Sequence, residues 1–372
     1  MFFKIFEEAA SKRKEYRAFA ENELDTGDRF PYENLAKAAK RGFMGCPIPR
    51  EWGGLGESFL NYILLIEEIS RVCASTGVII AVHTSVGTYP VLLFGSDDQK
   101  SRYIPGLAGG ELLGAFALTE AGAGSDAAAL STTATVVDGG YLLNGCKLFI
   151  TAGGEADLYI IFATVDRSLG ARGITAFLVE KRSEGLTPGK PEKKMGLNRS
   201  YTTELRMEDL FVPERNRLGK EGEGFSIAMS LLDGGRIGIS AQALGLTGAA
   251  LDYTIEKMKG RSEKQLKEEQ ELSFTLADLE ARFEASRLLS YKAAVIKQSG
   301  ERCTKEASMA KVFASDLAVE ATTKCLNFVG VENIKSDSPL SRYFCDAKVT
   351  QIYEGSNQIQ RIVIARELLK LY

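Results

Sequence analysis

Apolar and polar positions along this chain change rhythm twice. In the first hundred residues apolar side chains recur at three- and four-residue spacing. The stretches PYENLAKAAKRGFMG (31–45) and NYILLIEEISRVCA (61–74) therefore predict amphipathic helices, the first closing on glycine. Between them PIPREWGGLG (47–56) is punctuated by Pro and Gly and predicts a loop. From GAFALTE (114–120) to FVP (211–213) the period shortens to two with frequent Gly breaks. TTATVV, YLLNGCKLFI, LYIIFATV, ITAFLVE and TELRMEDLFV predict the strands of a small β domain. Helical spacing returns after about residue 222. In ELSFTLADLEARFEASRLL, Leu272, Leu276, Leu279 and Phe283 form one buried stripe, and similar stripes follow, as in a bundle of long helices. The expected division is a helical domain over 1–113, a β domain over 114–215 and a helical domain over 216–372.

Composition narrows the function classes. The chain has 372 residues, 45% apolar and 26% charged, with a formal net charge of −3. That balance gives no electrostatic case for nucleic acid or an anionic membrane surface. No apolar run approaches the roughly 20 residues of a spanning helix. The six cysteines are scattered without CxxC pairs, and one histidine cannot complete a metal set, so neither a metal site nor a disulfide framework is expected. Reduced thiols suit a cytosol-like compartment, and the amino-terminal MFFKIFEEAASKRKEYRAFAENE has neither a signal-peptide core nor the acid-poor composition of a transit peptide. A cytoplasmic protein is the expectation. His83 lies in the apolar run VIIAVHTSV, where a packed or capped histidine is expected, and no GxSxG elbow is present. Hydrolysis by a Ser/His/Asp triad is excluded on that ground, which leaves proton transfer to Glu, Asp, Tyr or Lys.

Three stretches carry candidate chemistry. In LTEAGAGSD (118–126), Gly122 and Gly124 allow close approach of a ligand to backbone N–H groups beside the hydroxyls of Thr119 and Ser125. A nicotinamide-binding Rossmann turn fits poorly, because strand-like alternation resumes where a helix should start. A Gly-rich hairpin without a ligand stays open. In KLFITAGGEAD (147–157), Phe149 and Thr151 alternate on a strand and face the same way, so a ring and a hydroxyl could meet a flat heterocycle; a plain core role for Phe149 also stays open. In QIYEGSNQIQR (351–361), Glu354 stands between an aromatic ring and a glycine, with no cation in the stretch before Arg361. It is either a solvated loop residue or a base kept from water.

The ordered segments FALTEAGAGSD, KLFITAGGEADLYIIFATVD, KMGLNRSYTTELRMEDLFVP, GEGFSIAMSLLDGGRIGISAQALGL and AKVTQIYEGSNQIQR span almost the whole chain. Together they resemble the acyl-CoA dehydrogenase family, most closely its short-chain, butyryl-CoA type. The resemblance implies a mainly α fold with a central β domain: an N-terminal helical domain, a middle β-barrel-like domain and a C-terminal four-helix bundle. It implies FAD, an acyl-CoA substrate, electron-transferring flavoprotein as electron acceptor, and a homotetramer built as a dimer of dimers. By the same resemblance Leu118 and Thr119 lie against the flavin's pyrimidine side, Gly124 and Ser125 belong to the cofactor loop, and Ser125 also reaches the acyl-CoA. Phe149 would cover the ring, Thr151 would contact the N5 region, and Ser356 and Gln358 would touch FAD near the catalytic loop.

Glu354 matches the family's base. In that role it takes the α-proton while hydride leaves Cβ for the flavin, with the thioester carbonyl held by its own backbone N–H and a ribitol hydroxyl. Tyr353 and Gly355 flank it in the substrate-binding loop. Asp233 and Arg236 match positions lining the pantetheine and thioester region, with helix packing an equal alternative for Arg236. Isovaleryl-CoA dehydrogenase, a relative, carries its base on another helix, at the position matched here by Gly235, so Glu354 is the one candidate in either place. Two family features are altered. The segment whose arginine holds the FAD pyrophosphate of the neighbouring subunit is replaced by EKMKGRSEKQLKEEQ, where Lys257, Lys259 and Arg261 compete for that position. The glycine-rich segment on the adenine side is replaced by NFVGVEN (327–333), with Asn327, Gly330 and Val331. A flavin-deficient, acyl-CoA-binding homologue serving as a non-catalytic or partner subunit is the alternative function, and a family fold running decarboxylation or desulfination is a weaker third.

Overall fold

The computed structural model describes residues 2–370. Six helices come first: α1 (Phe2–Glu23), α2 (Tyr32–Lys40), α3 (Phe59–Val72), α4 (Ala74–Val82), α5 (Tyr89–Phe94) and α6 (Asp97–Gly109). Both helices expected from the early pattern are present as α2 and α3. α2 ends at Gly42, whose φ of 74° is the left-handed stop that only glycine adopts cheaply. Ser58 starts α3 by accepting the Asn61 N–H, and α6 opens on a reciprocal Ser96–Gln99 capping box.

The eight strands β1 (Gly114–Ala117), β2 (Thr133–Val137), β3 (Gly140–Thr151), β4 (Leu158–Thr164), β5 (Ile174–Glu180), β6 (Leu186–Pro188), β7 (Thr202–Pro213) and β8 (Arg217–Leu218) make one mixed sheet. Its order is β6-β7-β3-β2-β4-β5-β8, with β1 parallel to β4. Asp138–Gly139 supplies the tight turn between β2 and β3, with Gly139 at φ 75°. β4 is buried throughout, so it reads as a continuous apolar run rather than an alternating one.

The chain then returns to helix: α7 (Gly224–Met258), α8 (Glu263–Glu268), α9 (Gln270–Gln298), α10 (Thr304–Val329), α11 (Pro339–Val349) and α12 (Asn357–Leu369). α7 crosses the molecular core and packs on both α3 and α10. Its glycines let backbones close up; a Cβ at Gly245 would stand 2.4 Å from the Glu67 carbonyl oxygen on α3. The stripe expected on α9 is present, with Leu272, Leu279 and Phe283 buried and Leu276 packed at its edge.

One expectation changes. The run Ala74–Phe94 is helical and apolar enough to match a membrane span in length, contrary to the expectation that no run comes near it. It is mostly buried inside the molecule, and a π-helical segment, His83–Thr88, interrupts it with polar side chains. His83 is packed, as expected: Nε2 lies 3.0 Å from the Leu107 carbonyl, Nδ1 accepts the Gly114 N–H at 3.0 Å, and burial pushes its pKa down to about 4. It fastens the helical domain to β1 as a neutral ring.

Candidate active site

Glu354 sits in the seven-residue turn, 350–356, between α11 and α12, which follows from two local signals. Ser356 caps α12 by accepting the Ile359 N–H, and Gly355 takes φ 84°. Glu354 itself is left-handed, at φ 52°, a conformation that costs a non-glycine residue about 1 kcal/mol or more. The turn is held from both sides. Gln360 Nε2 donates to the carbonyls of Glu354 and Gly355, each at 2.9 Å, and a Cβ at residue 355 would meet that amide at 2.5 Å. Tyr353 donates its hydroxyl to Gln242 of α7, whose own amide donates to the Ala74 carbonyl.

The carboxylate lies against Gly235 of α7. A Cβ there would stand 2.5 Å from Glu354 Oε2, so the glycine is what leaves room for the acid. That oxygen is sealed from solvent and has no hydrogen-bond partner. Burial pushes the Glu354 pKa up to about 7, while the positive charges of Arg236 and Lys311 pull the other way. Glu354 is thus half-buried as a residue, with one carboxylate oxygen enclosed and a pKa near neutrality, which does not suit a freely solvated loop acid.

Arg236 is buried one position from Gly235. It donates to Asp233 Oδ1 at 3.0 Å and to Ser308 at 3.5 Å, while its Nε is unpartnered. Asp233 also accepts from Thr304 at 2.7 Å and so ties α7 to α10. The helix-packing alternative for Arg236 has a physical basis in these bonds, and its charge also reaches Glu354.

The remaining candidates gather on the β domain. The Leu148 N–H donates to the Thr119 carbonyl at 2.8 Å, which brings the 118–125 loop alongside the end of β3. Leu118 is buried, Thr119 half-buried, and Gly124 and Ser125 exposed, with open space beside Gly122 and Gly124 where a Cβ would point. Phe149 corrects the simple strand picture. A bulge interrupts β3 between Lys147 and Ile150, and Phe149 has φ 58°, so its projection is set by a left-handed backbone and not by alternation with Thr151. The ring is 64% exposed. A large aromatic held outward by an unfavourable backbone suits a group that covers a flat ligand, and the plain core role is excluded. Gln358 is exposed on α12.

The turn before β7 docks the β domain onto α11, the helix that leads into the Glu354 turn. Gly196 packs so closely on α11 that a Cβ would stand 2.3 Å from the Cys345 carbonyl, and the Leu197 N–H donates to Asp346 at 2.5 Å. Several supporting residues escaped the sequence reading. Gln360 and Asn357 are polar residues on α12 with nothing in the local sequence to set them apart. Lys311 and Lys147 left a signal: Ala307, Lys311, Ala314 and Ala318 share one stripe of α10, so a lysine stands at a core position, and both lysines are fully buried.

The altered cofactor segments are also placed. The segment after Tyr253 carries α8, capped by Ser262 and Gln265. Lys257 lies over the Tyr253 ring, Lys259 pairs with Glu256, and Arg261 pairs with Glu269. Val331, just past Gly330, is 78% exposed.

Family models for the acyl-CoA dehydrogenase N-terminal, middle and C-terminal domains match residues 7–111, 115–210 and 222–369. The chain belongs to the acyl-CoA dehydrogenase family. Members are FAD-dependent flavoproteins, and the chain is accordingly an FAD-dependent oxidoreductase. An acyl-CoA dehydrogenase of Bacillus subtilis is 50% identical over 98% of this chain and 99% of its own length. A short-chain-specific acyl-CoA dehydrogenase of Clostridium acetobutylicum is 43% identical over the full length of both. The structure of butyryl-CoA dehydrogenase from Megasphaera elsdenii superposes with a TM-score of 0.93 at 41% identity, covering 97% of this chain and 98% of that one. The three-domain acyl-CoA dehydrogenase fold expected from the sequence is therefore present. The open backbone at Gly122 and Gly124, the outward Phe149 and the half-buried Thr119 and Thr151 are the residues that fit its flavin.

Proposed function

We propose that this chain removes the α and β hydrogens of a short-chain acyl-CoA thioester, with Glu354 as the base that takes the α-proton. The observation that carries the proposal is the enclosed, unpartnered Oε2 of Glu354 facing Gly235. A carboxylate with a free lone pair and a pKa raised to about 7 can accept a carbon-bound proton without first breaking a hydrogen bond. Its left-handed backbone leaves the Glu354 N–H on the turn to polarise the thioester carbonyl. Asp233 and Arg236 border the same face of α7, where they would meet the thioester and pantetheine end. Leu118, Thr119, Gly124, Ser125, Phe149, Thr151, Ser356 and Gln358 would hold the cofactor, with Ser125, Tyr353 and Gly355 also lining the substrate. Bound FAD supplies the hydride acceptor. Electron-transferring flavoprotein is the partner this reading expects. A homotetramer would cover apolar side chains such as Phe274, Leu288 and Val295 on α9, which the single chain leaves exposed.

The test is spectral. Purified protein should be yellow, and butyryl-CoA should bleach the flavin band under anaerobic conditions. Glu354→Gln should abolish bleaching while a non-reducing thioester analogue still binds. Bleaching at the native rate in that variant would remove Glu354 from the role.

A further inference from the structure

The turn that presents Glu354 rests on a buried cation. Lys311 has no exposed surface, and its ammonium donates to the Gly355 carbonyl and to Asn357 Oδ1, each at 2.8 Å. Asn357 is fixed in turn by Ser315 and Asp316, and Asp316 also accepts from Gln351 and Arg361. The result is a polar plug between α10 and the α11–α12 turn, with the lysine at its inner end. A buried lysine is costly, and two neutral acceptors compensate it only in part. Nothing about packing α10 against the turn requires a charge there, because Ala307, Ala310 and Ala314 fill the neighbouring buried positions.

We propose that Lys311 is a positioning residue for Glu354: its ammonium pins the Gly355 carbonyl, so that the preceding residue stays left-handed and faces Gly235, and its charge sets how readily that carboxyl ionises. The inference rests on Glu354 being the base. Lys297 of α9 reaches to 4.0 Å from where a Cβ at Gly234 would stand, and other charged or titratable groups around the carboxyl have partners of their own. Arg236 on α7 is neutralised in part by Asp233, Asp316 on α10 is taken up by three donors, Tyr62 of α3 donates to the Ala81 carbonyl, and Tyr353 is bonded to Gln242. Asp346 of α11 accepts from Leu197 and sits behind Tyr353. Lys348 holds the Gln351 side chain, and among the described residues Lys311 is the cation bonded to the backbone of the turn. Burial pushes its pKa down to about 7, with the charges of Glu354 and Asp316 opposing the shift.

The sign follows directly. An ammonium favours the ionised carboxylate, so removing it raises the Glu354 pKa and lowers the fraction of active base at a given pH. In Lys311→Met the rising limb of flavin reduction by butyryl-CoA should move upward by about one pH unit or more, which is a tenfold loss of rate below the midpoint. Lys311→Arg should restore the midpoint. Binding of the thioester analogue should stay unchanged. Infrared difference spectra should give the same displacement for the protonated Glu354 band, a reading that needs no turnover.

A Lys311→Met protein that slows equally at every pH with its midpoint unmoved overturns the proposal, because that is the behaviour of a packing residue alone. A second measurement keeps the native lysine. In Glu354→Gln the anion is gone, so carbon-labelled Lys311 followed by NMR should titrate at lower pH than in the wild type; an unchanged titration overturns the proposal as well. Failure of the base assignment is separable. It would show as bleaching by Glu354→Gln, whereas an inert Glu354→Gln with an unmoved Lys311→Met midpoint sinks only the role given to Lys311.

Discussion

Two glutamates of this chain, Glu120 and Glu354, are withdrawn from water and behave in opposite ways. Glu120, on the β domain, accepts from the Ser131 N–H and hydroxyl, the Thr132 N–H and hydroxyl, and Lys147 Nζ at 2.7 Å. Burial alone would raise its pKa, but the lysine and the hydroxyls hold it near 2. Glu354 has no hydrogen bond at Oε2, and its two cations act from their own partners, so burial wins and its pKa stands near 7. Burial of a carboxylate therefore does not by itself mark a base. The count of donors aimed at the oxygens decides, and the β domain spends its glutamate on architecture: Lys147 also donates to the Leu118 carbonyl, so the pair anchors the very loop that carries Thr119.

One substitution applied at both sites breaks the comparison most visibly. Glu354→Gln should lower the rate of flavin reduction by about 10²–10⁴-fold and leave the fold intact, measured by stopped-flow spectroscopy beside urea unfolding. Glu120→Gln should do the reverse. It strands Lys147 in the interior, which should cost about 3–5 kcal/mol in the same unfolding experiment. Equal destabilisation by the two changes would mean that Glu354 is a structural acid like Glu120. Gly235→Ala comes next in size. Its Cβ would intrude 2.5 Å from Oε2, displacing the carboxyl by a fraction of an ångström to an ångström, and the rate of proton abstraction should fall by about 10²-fold with analogue binding retained. A native rate in that variant would mean the acid does not work from this position.

The smallest effect is in the pH dependence of stability, and it has opposite signs at the two sites. Glu120 has a folded pKa near 2, below its ordinary 4.5, so its contribution is present above pH 4.5 and lost as pH falls towards 2. Glu354 has a folded pKa near 7, above its ordinary 4.5, so its contribution is present below pH 4.5 and lost as pH rises through 7. Glu354→Gln should thus melt like the wild type near pH 5 and become the more stable protein, by roughly 2 kcal/mol, near pH 8. Melting curves at the two pH values check this.

The fold was legible because its signals are local. The runs expected as strands became β2, β3, β4, β5 and β7, with β4 and β5 buried on both faces, and the Leu272–Phe283 stripe became the inner face of α9. Glu354 was legible as a candidate through its neighbours, Tyr353 and Gly355, but nothing in the sequence shows that Oε2 lacks a donor, since that depends on three segments more than a hundred residues apart in the case of α7. Phe149 was misread in its geometry because a bulge has no signature in the hydrophobic pattern. Lys311 went unnoticed for a different reason. Its cationic identity looked like a surface position, and only the alanines one turn away on either side mark it as interior.

The docking of Gly196 and Leu197 onto α11 has a mechanical consequence. Asp346 lies eight residues before Glu354 and Leu197 lies five before Thr202, the residue paired with Thr151. A single knuckle therefore joins the stalk of the acid to the margin of the sheet. A shift of the sheet's margin would therefore be passed along α11 to the turn that carries the acid.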